Sequence, residues 1–216
     1  SVLGTDNFNR ADGGLGSNWA TLTNLGNPQI VGNLVQDEQV GAPVAAARYT
    51  NVTWPNDQYA QVKVITATVG TSRQVGGICR GSSTAATYYR GMATGPLGTG
   101  ASVTIAKVIN GTLTTLTTVV TTINSGDTVL FEVQGTTLRV KINGVEISST
   151  TDSAIASGSA GCIARVDNTG SPNVAHAQFD DWEGGDFVVG AVPAGTPQII
   201  PNYPLGFNVG MNNMMN

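Results

Sequence analysis

The segment from Asp127 to Gly161 constrains the fold more than any other part of this 216-residue chain. Apolar and polar side chains alternate through three successive runs, which contain Phe131, Val140 and Val145. A period of two places the apolar side chains on one face of a sheet and the charged ones on the other. Asn143-Gly144, between the second and third runs, supplies the positive φ angles of a two-residue hairpin turn. The segment therefore predicts an antiparallel meander with one buried face, followed by a loop into a fourth strand.

The remainder of the chain has the same character. Glycine is abundant, at 28 residues, and charged residues make up only 11% of the sequence. Gln58–Val69 alternates as a strand, and Asn110-Gly111 is a second hairpin signal between Val103–Ile109 and Thr112–Ile123. Ile30–Val35 and Val44–Tyr49 are also interpreted as strands. No long helical pattern is found, so the chain is predicted to be an all-β domain of many short strands.

Three stretches carry a resemblance to a known family. The meander continues into a polar loop containing Asp152 and a glycine-rich entry to the next strand. Asp6–Trp19 and Ala177–Gly185 resemble the first and last strands of the same family, which lie side by side. Together these stretches resemble the concanavalin A-like, laminin-G-like jelly roll. The resemblance implies a two-sheet antiparallel sandwich over residues 1–186, in a superfamily of lectins, glycanases, lyases, adhesion modules and phage structural proteins.

The carboxylates argue against glycanase chemistry. Glycanases of this superfamily use two carboxylates on one strand, in a Glu-x-Asp-x-x-Glu arrangement. Glu38, Glu132, Glu146 and Glu183 are the only glutamates, and none stands in that pattern. Related lyases need Arg, Gln, His and Tyr in strand motifs of their own, and the single histidine, His176, has no such context. We therefore predict a protein without catalytic residues.

The resemblance to lectin-like members implies candidates for glycan binding, since those proteins stack an aromatic ring on the sugar and reach its hydroxyls with polar groups. The candidates are Trp54, Tyr88, Tyr89, Arg90 and Arg165. Tyr88 and Tyr89 are adjacent on a strand, so they must face opposite sides. Trp54 has an alternative role as the anchor of a turn.

A calcium ion at a loop rim is common in the family, and the resemblance implies Asp6, Asp167 and Asp180 as its oxygen donors. An ion pair between Arg10 and Asp180 or Asp181, across the terminal strands, is the alternative. No other cofactor is predicted.

The two cysteines, Cys79 and Cys162, both lie in strand-like runs. They are interpreted either as two buried thiols or as a disulfide between neighbouring strands. With a single histidine in the chain they do not form a zinc site.

The C-terminal segment, residues 187–216, contains no charged residue. Its recurring prolines disfavour a helix or a sheet ladder, and disordered linkers are usually polar. We predict an extended arm that docks on a partner, either another copy of the chain or a capsid or fibre protein. Its apolar anchors are Ile199, Ile200, Tyr203, Leu205 and Phe207.

These features predict a non-enzymatic structural or adhesive subunit of a phage virion, such as a capsid decoration, head-fibre or tail-appendage protein. The alternative is a carbohydrate-binding module of a secreted bacterial protein. The net charge of −4 and the lack of a basic cluster argue against nucleic acid as a partner. No apolar run approaches the length of a membrane span. No signal peptide remains at the N-terminus, so either one was cleaved off or the chain is made in the cytoplasm. The expected location is the virion, assembled in the host cytoplasm, or otherwise the extracellular space.

Overall fold

A computed structural model describes residues 1–37, 44–66, 73–166 and 177–187, and all regular elements in these ranges are β-strands. In chain order they are β1 (Val2–Asp6), β2 (Gly13–Gly14), β3 (Trp19–Thr21), β4 (Gln29–Val31), β5 (Leu34–Gln36), β6 (Val44–Tyr49), β7 (Gln58–Thr66), β8 (Gln74–Gly81), β9 (Tyr88–Thr94), β10 (Ser102–Ile109), β11 (Thr112–Val120), β12 (Thr128–Gln134), β13 (Thr137–Ile142), β14 (Val145–Thr151), β15 (Ser159–Arg165) and β16 (Gln178–Asp186).

The strands form two antiparallel sheets that pack face to face. The nine-stranded sheet has the order β14-β13-β12-β7-β16-β5-β4-β2, and β1 pairs with β16 beside this path. The seven-stranded sheet has the order β11-β10-β9-β8-β15-β6-β3. This arrangement confirms the predicted all-β, two-sheet jelly-roll sandwich.

The predicted meander is present as β12, β13 and β14. Val129, Phe131 and Val133 are fully buried, and Leu130 between them is half-buried. Asn143 has φ 50° and Gly144 has φ 81°, which are the left-handed conformations that the hairpin turn requires. The Asn143 side chain accepts a hydrogen bond from the Thr128 amide at 2.9 Å. The second hairpin is confirmed in the same way, with φ 49° at Asn110 and 82° at Gly111.

The terminal strands are neighbours, as the resemblance implied. Strand β1 pairs with β16, with Asp6 opposite Trp182. The N-terminal ammonium of Ser1 lies 2.7 Å from a carboxylate oxygen of Asp186. Strand β16 is an interior strand of its sheet, since β7 pairs with it on one side and β1 and β5 on the other.

The main core lies between the sheets. Trp19, Tyr49 and Trp182 pack as one aromatic cluster, with ring centroids 4.8–5.2 Å apart. Nearer the meander the sheets pack closely at Gly91, where a Cβ atom would lie 2.3 Å from Cδ2 of Phe131. A side chain at that position would force the sheets apart.

Two strands are shorter than the sequence predicted. Strand β11 ends at Val120, and Ile123 instead enters the core, where it is fully buried. The run Ile30–Val35 is split into β4 and β5, because Gly32 and Asn33 adopt φ angles of 60° and 66° and turn the chain.

Cys79 and Cys162 are both buried free thiols, which confirms the first interpretation of the cysteines. Burial raises the pKa of both thiols above the ordinary value. Within the described ranges no helix is long and apolar enough to cross a membrane. The predicted arm anchors Ile199, Ile200, Tyr203, Leu205 and Phe207 lie outside the described residues, as do His176 and Glu38.

Candidate functional site

Three of the residues predicted to bind glycan lie on one surface, the side of the seven-stranded sheet that faces away from the nine-stranded sheet. In β9, Tyr89 and Ala93 pack in the core between the sheets, so the alternating residues Tyr88, Arg90 and Met92 point the other way. We call this surface the outer face. Its side chains come from Arg48, Gln74, Ile78, Tyr88, Arg90, Met92, Thr94, Thr104, Ile163 and Arg165.

A row of polar side chains crosses the outer face at one end. Arg165 lies opposite Gln74 in the register of β15 with β8, and Gln74 lies opposite Thr94 in the register of β8 with β9. The Gln74 side-chain amide donates a hydrogen bond to the Thr94 hydroxyl at 3.0 Å. Arg165 donates to the Gln74 carbonyl oxygen at 3.4 Å. The register and these bonds hold the three side chains in a fixed line across three strands.

Apolar side chains form the floor beside this polar row. Ile78, Met92 and Ile163 pack together with the Tyr88 ring, and each is at most 2% exposed. Ala46, Val108 and Leu22 complete the cluster. At this burial the floor is closed to solvent, and it packs as a second, smaller core.

The strands of this sheet contribute only positive charge to the outer face. None of the seven strands of this sheet contains an aspartate or a glutamate, whereas Arg48, Arg90 and Arg165 all point to the outer face. Arg90 is 3% exposed, and its Nε atom has no hydrogen-bond partner in the described residues. Burial lowers the pKa of Arg90, Tyr88 opposes that effect, and the charge of Arg165 adds to the lowering. The face can donate hydrogen bonds to a ligand, but its strands lack the two carboxylates of a glycoside hydrolase.

Tyr88 and Arg90 are too deeply buried to stack on a sugar ring. Tyr88 is 2% exposed, so its ring belongs to the floor and offers no free face to a sugar. Burial raises the pKa of its hydroxyl.

The prediction that Tyr89 belongs to a binding surface is wrong. Its side chain is fully buried between the sheets, and its hydroxyl donates to a carboxylate oxygen of Asp152 at 2.6 Å. The same hydroxyl accepts a hydrogen bond from the Ile155 amide at 3.0 Å. Tyr89 therefore fixes the loop between β14 and β15.

Trp54 is separated from the outer face by the core. Its ring packs edge-on against Trp182, with centroids 6.2 Å apart, and its indole nitrogen donates to the Tyr49 carbonyl at 2.8 Å. The structure thus places Trp54 in the alternative role, as the anchor of the turn after β6.

Two of the proposed calcium donors, Asp6 and Asp180, are engaged by other groups of the protein. Asp6 forms an ion pair with Arg10 at 2.7 Å and accepts a hydrogen bond from the Trp19 indole at 2.8 Å. The carboxylate of Asp180 accepts the Asp181 amide, and Asp167 lies outside the described residues. In the described part of the chain no group of three or more metal-ligating side chains could hold an ion. Arg10 pairs with Asp6 and not with Asp180 or Asp181, because the loop after β1 returns it to its own strand.

A concave surface lies on the nine-stranded sheet. This open cavity of about 500 Å³ is lined by residues that include Asp6, Gln61, Asp181 and Glu183. Its carboxylates are engaged, since Asp181 pairs with Lys63 at 3.4 Å and Glu183 accepts the Tyr59 hydroxyl at 2.7 Å.

Sequence reasoning missed Arg48 and Gln74. Both lie on strands that carry no motif, and only the pairing of β6 and β8 with β15 brings them onto the same face as Arg165.

No family model matches the sequence, and no curated protein matches it. Solved structures do match its fold. The carbohydrate-binding module CBM66 from Bacillus subtilis is 14% identical, with a TM-score of 0.55 over 76% of this chain and 92% of that one. A Bacillus licheniformis beta-glucanase is also 14% identical, with a TM-score of 0.53 over 86% and 98% of the two chains. The GH43 protein BlXynB from Bacillus licheniformis, as a point mutant, is 15% identical, with a TM-score of 0.56 over 85% of this chain and 39% of that one.

At such identities the likeness concerns the fold and not the activity. The two sheets, the side-by-side terminal strands and these neighbours agree with the resemblance in the sequence motifs. The chain is a concanavalin A-like jelly-roll sandwich.

Proposed function

We propose that this protein is a non-catalytic β-sandwich that binds glycan on the outer face of its seven-stranded sheet. The carrying observation is the polar edge of that face, which has a fixed row of Arg165, Gln74 and Thr94 and no carboxylate in any strand of the sheet. Fixed amides and guanidinium groups suit the hydroxyls of sugars. The fold it shares with the carbohydrate-binding module supports this proposal.

Ion pairing of a buried carboxylate supports a role without catalysis. Glu132, which is 3% exposed, is held between Arg139 at 3.2 Å and Lys141 at 2.9 Å. A general acid or a nucleophile must instead be available to the scissile bond.

Binding can be tested with a glycan array followed by titration of the best ligand. Gln74→Ala should weaken that ligand's binding about three- to tenfold, the effect of losing a neutral hydrogen bond. The matched control is Gln61→Ala, a glutamine on the opposite sheet that pairs in register with Glu183. Equal affinity in both variants, or no array signal above background, would remove the proposal.

Catalysis is tested separately by incubating the protein with β-glucans, alginates and host capsular polysaccharides. We expect no new reducing ends and no unsaturated products. Depolymerisation that is lost on replacing Glu132 or Glu38 would show that the protein is an enzyme.

A second candidate function is a structural subunit of a phage virion, for which the uncharged segment 187–216 is the supporting observation. Ordering a residue costs about 1–2 kcal/mol of backbone entropy, and burying an anchor such as Ile199 or Phe207 contributes roughly 1.5–3 kcal/mol. The prolines lower the ordering cost because they already restrict the unfolded chain. In this second candidate function the segment binds other copies of the chain, or capsid or fibre proteins. The protein is then located in the virion. In the first proposal it is extracellular.

The arm is tested by deleting residues 190–216 and measuring assembly by analytical ultracentrifugation. If the arm serves assembly, the truncated protein keeps its melting temperature and no longer associates. Unfolding on truncation would place the arm in the core of the domain. Unchanged assembly would remove the support for the virion candidate.

A further inference from the structure

One long edge of the sandwich lacks most of the features that keep edge strands from pairing with other chains. Strand β11 ends the seven-stranded sheet and has nine residues, TLTTLTTVV, with no charged residue and no proline. Unpaired backbone groups on such an edge bind other strands unless charges, prolines or bulges prevent it. Strand β11 has only a bulge, at Leu116. The other long edge, β14, carries the charge of Glu146.

The first half of β11 directs two sets of backbone groups away from β10. The two-residue turn at 110–111 makes Ile109 and Thr112 a hydrogen-bonded pair. Hydrogen-bonded and non-hydrogen-bonded pairs alternate along an antiparallel ladder. Leu113 and Thr115 therefore point their N–H and C=O groups outward, where no described strand pairs with them.

The second half of β11 is arranged in the same way. The Thr121 amide donates to the Ala101 carbonyl at 2.8 Å, so these two residues form a hydrogen-bonded pair just beyond the strand. By the same alternation, Thr118 and Val120 point their backbone groups outward. The strand thus offers outward backbone groups on both sides of Leu116.

These outward residues are complementary to those of a second copy of the chain. When two β11 strands run antiparallel about a two-fold axis at the bulge, Leu113 lies opposite Val120 of the second copy. Thr115 then lies opposite Thr118 of the second copy. All four residues can exchange backbone hydrogen bonds in this register, and the bulges of both copies meet at the axis, between the bonded pairs.

The exposed apolar side chains of β11 lie at the matching ends of this register. Leu113 is 45% exposed and Val120 is 71% exposed. Both point away from the core, because Leu113 is opposite Val108 of the outer-face cluster and Val120 is opposite Ser102, which alternates with the core residue Val103. Pairing would bring the two apolar side chains together twice, and such cross-strand pairs stabilise a ladder.

Charge and area also favour a second copy as the partner. The chain has a net charge of −4, but β11 itself has no charge that would repel its copy. Strand β14 lies beneath it, with the Ser148 hydroxyl donating to Thr117 Oγ1 at 3.4 Å, so the edges of both sheets contribute. An area about 30 Å long and about 20 Å deep covers about 600 Å² on each copy. The pair then buries about 1,200 Å², the lower end for a specific interface.

We propose that two copies of this chain form a reversible dimer through antiparallel pairing of their β11 strands, which joins their seven-stranded sheets into one continuous sheet. The outer faces of the two copies then point to the same side. This dimer depends neither on the proposed glycan binding nor on segment 187–216.

The test measures association of the full chain by analytical ultracentrifugation over a range of protein concentrations. We expect a monomer–dimer equilibrium. Leu113→Lys should raise the dissociation constant at least about tenfold, because it removes an apolar pair and brings a charge into the interface. Val31→Lys is the control, because Val31 is an apolar residue of β4 that is 41% exposed, and it should leave the constant unchanged. Both variants should keep the melting temperature.

The register is tested by a double variant, Leu113→Lys with Val120→Glu. It should restore association, because the antiparallel register places the two opposite charges together, whereas a parallel pair would place like charges together. Hydrogen exchange gives a second readout on the unchanged protein. The amides of Leu113, Thr115, Thr118 and Val120 should exchange more slowly as the concentration is raised, because pairing protects them.

Four results would overturn the inference. A monomer at every concentration would leave β11 to solvent or to a strand of another protein. Undiminished association of Leu113→Lys would assign the contact to another surface, such as segment 187–216. Equal weakening by Leu113→Lys and Val31→Lys would indicate non-specific association. A double variant that stays monomeric would exclude this register.

Discussion

Among single residues, Gly91 allows the two sheets to pack closely because it has no side chain. A Cβ atom there would lie 2.3 Å from Phe131 Cδ2. We expect Gly91→Ala to lower the free energy of unfolding by about 1–3 kcal/mol, the usual cost of overpacking a core, as measured by urea denaturation. Gly100→Ala is the control, because Gly100 is exposed and a Cβ there would meet nothing within 4 Å. Equal stability of the two variants would show that the sheets can separate without cost.

A second prediction at this scale concerns Asp152 and pH. Burial alone would raise the pKa of Asp152, but Lys107 at 2.5 Å and the Tyr89 hydroxyl hold it below the ordinary value. A lowered pKa gives stability above the unfolded carboxyl's pKa of about 3.9, and that stability is lost as the pH falls through the folded-state value. Asp152→Asn should therefore be less stable near neutral pH.

The measurement is thermal unfolding from about pH 6 down to about pH 2. Asp152→Asn should lose less stability over this range than the unchanged protein, and Lys107→Met should resemble it because it removes the cation from the same pair. Parallel curves for all three proteins would contradict the assigned role. Burial is the larger cause, and the hydrogen bond to Asp152 the second, of a raised pKa of about 12 for the Tyr89 hydroxyl.

At the level of the element, the β13–β14 hairpin depends on Asn143. Its backbone has φ 50°, and its side chain both accepts from Thr128 and donates to Asp127 at 2.8 Å. Asn143→Ala loses these bonds and places a less tolerant residue at positive φ, so we expect a loss of about 1–3 kcal/mol in unfolding free energy. Asn9→Ala, at an exposed asparagine in the loop after β1, is the control and should change stability little. A neutral Asn143→Ala would show that β13 and β14 pair without help from the turn.

The elements also show what the sequence can and cannot predict. The alternation around Phe131 and the turn at Asn143-Gly144 are local, and both were predicted correctly. The side of the sheet that Tyr88 and Tyr89 would each face could not be predicted, because alternation separates two aromatic neighbours without saying which is inside. The contact between Gly91 and Phe131, about 40 residues apart in sequence, settles that choice. Arg48 was missed for the same reason, since only the non-local pairing of β6 with β15 brings it to the outer face.

Across the whole molecule, the strands of the two sheets differ in the sign of the charges that they carry. The strands of the seven-stranded sheet carry Arg48, Arg80, Arg90, Lys107 and Arg165 and no acidic residue, although the net charge of the chain is −4. The acidic residues among those that the structure describes belong to the other sheet and to the loops. Such a separation orients the protein toward anions as they approach, an effect that weakens with salt.

The molecule should also exchange its amide hydrogens unevenly. Every residue of β8 is buried and the strand is paired on both sides, whereas β11 is an edge strand whose residues are half-buried or exposed. Amides with buried, paired surroundings open only by larger unfolding events. We expect hydrogen exchange by mass spectrometry to show the slowest rates in β8 and the fastest strand rates in β11. Equal rates would mean that the sandwich opens as a single unit.

The interior position of β16 has a consequence for how the protein is made. A ribosome delivers β7 and β5 long before β16, which pairs with both and also with β1. Until that strand emerges, the nine-stranded sheet is divided into separate pieces with unpaired edges, and such edges invite association with other chains. The sandwich therefore cannot close until β16 has emerged from the ribosome. A cell that makes the protein in quantity must protect those open edges until β16 is in place.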